Sequence, residues 1–72
     1  MIMRKQRWYS TRLSRYFYEH YGQYEETAGF FPDPADNQWL FDISELEVRI
    51  ELTCHDNGIV TEQRYEKGGA RL

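Results

Sequence analysis

The sequence predicts an α+β domain: one N-terminal helix packed on an antiparallel sheet of three or four strands that ends in a β-hairpin. Three observations carry this. Aromatic and aliphatic residues recur at helical spacing over residues 9–21. Apolar Leu46, Val48, Ile50, Leu52 and Cys54 alternate with polar Glu47, Arg49, Glu51 and Thr53, which is the period of a strand with one buried face. Asn57-Gly58 follows directly, the strongest short hairpin signal because both residues tolerate positive φ.

The helix comes first. Tyr9, Leu13, Tyr16, Phe17, His20 and Tyr21 span roughly 140° of arc at 100° per residue, the width of a core-facing stripe. Ser10 or Thr11 is the expected cap, and Gly22 the expected left-handed residue after the end. Tyr16-Phe17-Tyr18 are strand formers, so a strand is the competing reading. Phe30-Phe31 begins a short strand, closed by the Pro32–Asn37 loop, whose prolines and Asp/Asn residues cannot continue a central strand. Gln38–Ile43 forms the next strand, and a short turn at Ser44-Glu45 leads into the hairpin 46–54/59–66. A two-residue Asn57-Gly58 loop sets Glu51 opposite Arg64, Arg49 opposite Glu66 and Ile50 opposite Tyr65. Both charge pairs are favourable, each contributing about 0.2–1 kcal/mol.

The 72 residues make a single small domain, with 1–7 and 68–72 expected as flexible tails. So short a chain buries about 60% of its unfolded surface. Twelve aromatic residues, each able to cover about 150–250 Å², offset the thin core, and self-association would add burial. Cys54 is the only cysteine, which excludes an intramolecular disulfide. No segment has the length and apolarity of a signal peptide or membrane span, so a cytoplasmic protein without membrane partners is expected.

Charge is divided unevenly. Residues 1–18 hold Arg4, Lys5, Arg7, Arg12 and Arg15 and no carboxylate, whereas residues 19–56 hold ten carboxylates against Arg49 alone. The first segment supplies the candidate binding residues Arg4, Lys5, Arg7, Trp8, Arg12 and Arg15. Tryptophan and arginine dominate protein-interface hot spots, and the same set could stack a nucleobase while meeting phosphate. A bland alternative folds Trp8 back onto the core and pairs the arginines with this chain's own carboxylates. The acidic total, with a pI near 5.3, opposes general nucleic-acid affinity. Asp42, Glu45, Glu47 and Glu51 suggest the inverse, an acidic surface imitating nucleic acid.

Catalytic and metal signals are weak. Cys54-His55-Asp56 places nucleophile, base and acid in sequence, but neighbouring strand residues point to opposite faces. Cys54 therefore reads as a small buried hydrophobe. His20, on the apolar arc near the helix end, reads as structural, as does exposed His55. No zinc-ligand spacing occurs, and the Asp33–Asn37 loop lacks the glycine and glutamate of a calcium loop. The expectation is a non-enzymatic protein-interaction module or regulator without cofactor, binding a protein partner or itself. Nucleic-acid binding is the alternative.

Overall fold

The computed structural model describes the backbone of residues 2–66 and the side chains of residues 8–66. One helix, α1 (Ile2–Tyr21), is followed by a 3-10 turn (Gly22–Tyr24). Among the described residues four strands follow: β1 (Gly29–Phe30), β2 (Gln38–Ile43), β3 (Val48–Cys54) and β4 (Val60–Glu66). All neighbours are antiparallel and the spatial order is the chain order, β1-β2-β3-β4. This is the α+β architecture predicted, with the full four strands. Among the described residues no helix is long and apolar enough to cross a membrane.

α1 lies across one sheet face. Leu13, Phe17 and Tyr21 recur every fourth residue and are buried, so they form one stripe along the helix. They meet Phe41 and Ile43 of β2 and Val48, Ile50, Leu52 and Cys54 of β3 in a single core cluster. Phe17 sets its ring edge-on to Phe41 at 5.1 Å and to Phe30 at 5.4 Å. That geometry lets the positive ring edge meet a negative face.

The helix differs from its expected limits in three ways. It begins at Ile2, so Ser10 and Thr11 lie inside it rather than at its cap. His20 is exposed, its ring stacked against Tyr16 at 4.1 Å, and so leaves the core stripe at Tyr21. Gly22 is not left-handed but opens the 3-10 turn. Residues 68–72, expected as a tail, lie outside the described residues.

The hairpin also departs from its expected register by one residue. Cys54 pairs with Val60, Glu51 with Gln63, Ile50 with Arg64 and Arg49 with Tyr65. The turn explains this. Gly58 has φ 89° while Asn57 does not take a positive φ, so the two-positive-φ turn is not formed. The Gly58 N–H donates to the His55 carbonyl, and the His55 N–H to the Ile59 carbonyl, both at 2.8 Å. The Asn57 Oδ1 accepts the Ile59 N–H at 3.0 Å. This is the three-residue loop with a left-handed glycine that competes with the two-residue one. Arg49 consequently finds its partner on the other side, Asp42 of β2, at 3.0 Å.

Leu46 also leaves the expected apolar row. It sits in the Ser44–Glu47 turn at 39% exposure, and Glu47 there takes φ 57°. Opposite the helix, the sheet presents a polar face. Gln38 donates to Glu51 at 2.9 Å, Tyr65 donates to Glu51 at 3.1 Å, and the Arg49 guanidinium lies 4.4 Å from the centre of the Phe31 ring.

Candidate interaction surface

The register shift builds the least expected feature of the molecule. It turns Val60, Glu62, Arg64 and Glu66 toward the helix side of β4, where the other register would have placed Tyr65. An edge strand bordering a thin core then carries a carboxylate that needs partners. α1 supplies them: the Tyr16 hydroxyl donates to Glu62 Oε1 at 2.8 Å, and the Tyr21 hydroxyl donates to Oε2. Burial and then the hydrogen bond to Glu62 push the Tyr16 phenol up to about 12. The same causes raise Tyr21 further, with Arg64 opposing. The carboxylate thus ties both helical turns to the far edge of the sheet.

Trp8 and Arg12, one helical turn apart, meet the other end of β4. The Arg12 guanidinium lies over the Trp8 ring, 5.4 Å from its centre. A Cβ placed on Gly58 would sit 3.5 Å from Arg12 Cζ and 3.6 Å from Trp8 Cζ2. Trp8 is therefore half-buried against the β3–β4 turn and joins the margin of the core. Tyr9 adds a second tie, donating to Asp56 Oδ1 at 2.6 Å, and that bond raises its phenol pKa.

Beside this contact runs a shallow groove. Arg12, Arg15, Tyr16 and Glu19 form its helical wall, and Gly58, Ile59 and Val60 form the other. Ile59 is 56% exposed. A second depression brings Ser10, Thr11, Ser14 and Arg15 beside Trp39. Of the residues singled out in the sequence, Trp8, Arg12 and Arg15 come together here. The side chains of Arg4, Lys5 and Arg7 lie outside the described residues, though their backbone is part of α1. Ile59, Tyr16 and Trp39 belong to these surfaces too. The helical position of Tyr16 and the strand position of Trp39 were legible, but Ile59, expected to begin the strand, lies just before β4, and the proximity of the β3–β4 turn to α1 was not legible.

The remaining candidates are dispersed. Cys54 is buried and its thiol is pushed up by that burial, with Arg12 opposing. The His55 ring hydrogen-bonds Thr61 Oγ1 at 3.0 Å on the opposite sheet face. Asp42 pairs with Arg49, Glu45 accepts from Thr27 at 3.0 and 3.1 Å, and Glu51 accepts from Gln38 and Tyr65. Among the described residues no three His, Cys, Asp or Glu side chains converge as metal ligands. Comparison with family models, with curated proteins and with solved structures found no match to the chain.

Proposed function

We propose that this chain is a small non-enzymatic protein-interaction module or regulator, gripping a protein partner in the groove between α1 and the β3–β4 turn. The observation that carries this is the exposed Ile59 set at the rim beside Arg12, Arg15 and Tyr16. An apolar anchor flanked by arginine and tyrosine has the composition of an interface centre. Two arginines in the same wall favour an acidic partner segment bearing an apolar side chain. Nucleic-acid binding is less favoured, because the chain is acidic overall, with a formal net charge of −3. A cytoplasmic location belongs to this reading, and it is supported by the lack of any intramolecular disulfide in a chain whose one cysteine is Cys54.

The test is capture from a lysate of the source cells, with and without nuclease, using the wild type and Arg15→Glu/Ile59→Ser. Both side chains are exposed, so circular dichroism should be unchanged. The expected result is a stoichiometric protein partner that survives nuclease and falls at least tenfold in the variant. Equal recovery by the variant would discard the groove, and recovery that vanishes with nuclease would favour the nucleic-acid reading.

A further inference from the structure

β4 closes one side of the sheet, and its outer edge has no neighbouring strand among the described residues. The turn determines which backbone groups are free there. His55 and Ile59 form a hydrogen-bonded pair, and pairs along an antiparallel ladder alternate between bonded and non-bonded. Thr61, Gln63 and Tyr65 therefore turn their backbone groups toward β3. Those of Val60, Glu62, Arg64 and Glu66 face outward.

We infer that this edge pairs antiparallel with the same edge of a second copy, about a two-fold axis through Gln63. The inference rests on the interaction-module reading and names one partner within it. Only outward-facing residues can exchange bonds across the new ladder, which restricts the registers available. An axis through Gln63 pairs all of Val60–Glu66 and sets Glu62 opposite the partner's Arg64, twice by symmetry. Moving the axis to Glu62 or to Arg64 would shorten the ladder and bring like charges face to face, which is destabilising. On the other sheet face, Thr61 meets the partner's Tyr65 and Gln63 meets its own mate, so no like charges oppose there.

The side chains are prepared for this. Glu62 is held by the Tyr16 and Tyr21 hydroxyls, yet a carboxylate has roughly four acceptor sites and two remain. Arg64 is exposed and makes no hydrogen bond or ion pair among the described residues. Pairing would also remove an open edge that otherwise invites unspecific association.

Two measurements test it together. In sedimentation at micromolar concentration the wild type should run as a dimer. Arg64→Glu should run as a monomer of half the mass with an unchanged circular dichroism spectrum. Cross-linking then tests the register. Residues at a non-bonded pair have Cα atoms about 4.5 Å apart, within disulfide reach. Gln63→Cys should therefore give a covalent dimer under mild oxidation. Thr61→Cys should not, because its mate lies four residues along the strand, about 13 Å away. A monomeric wild type, a dimer that Arg64→Glu leaves intact, or equal cross-linking of both cysteine variants would each overturn the inference. Partner capture in the groove would survive any of these results, so the two readings fail separately.

Discussion

Replacing Glu62 by glutamine removes a charge while keeping the shape that fits between Tyr16 and Tyr21. The carboxamide can still meet both hydroxyls, since each can rotate to donate or to accept. What is lost is the charge assistance. A hydrogen bond to a charged group contributes about 1.5–3 kcal/mol net and a neutral one about 0.5–1.5. This site is only half-buried, so the low ends apply, and two bonds lose about 2 kcal/mol together. For a domain of this size that corresponds to a fall in Tm of roughly 8–16 °C. The coupling is measured by a cycle with Tyr21→Phe, which keeps the ring packing. The measurements are urea unfolding at a protein concentration too low for self-association to contribute. The phenylalanine change should cost about 1 kcal/mol less in the glutamine background than in the wild type. Costs that add within about 0.3–0.5 kcal/mol, or a Glu62→Gln protein as stable as the wild type, would refute the clamp. Glu66→Gln, on the same strand but exposed, is the control and should stay within about 0.5 kcal/mol.

Three further outcomes follow from the same structure. Gly58→Ala should destabilise by about 1–2 kcal/mol in thermal unfolding, because φ is 89°. The new Cβ itself would meet Arg12 and Trp8 only at ordinary contact distance. Leu52→Ala, fully buried on the central β3, should cost about 2–5 kcal/mol in the same assay. Tyr16 and Tyr21 have folded pKa values above the unfolded value, so their neutral forms contribute stability that is fully present below pH ~10. That stability drains away as pH rises through the folded values, which for Tyr16 is about 12. Unfolding followed from pH 9 upward should therefore steepen, and Tyr16→Phe/Tyr21→Phe should flatten the slope.

The legible parts of this fold are those whose signal is local. Leu13, Phe17 and Tyr21 announce a helix by their spacing, and Val48 to Cys54 announce a strand by alternation. The hairpin was also legible, but not its register, because Asn57-Gly58 suits both a two-residue and a three-residue loop. Charges pointed to the two-residue loop, which pairs Glu51 with Arg64 and Arg49 with Glu66, whereas the observed register sets no acid opposite a base between β3 and β4. The deciding contacts come from Tyr16 and Tyr21, more than forty positions away in the chain. The same distance hid the groove. Trp8 and Arg12 could be placed on one helix face, but not against Gly58.

The strand order has a kinetic corollary. β3 is bonded on both sides along its length, and the Cys54 N–H is taken up by the Asn37 carbonyl. Among the described residues β1 contributes only two positions, and β4 has a neighbour on one side. In the monomer, as in Arg64→Glu, amide protons should accordingly exchange with solvent in a fixed sequence, those at the two margins first and those of Ile50 and Leu52 last. Their exchange then reports complete opening of the domain.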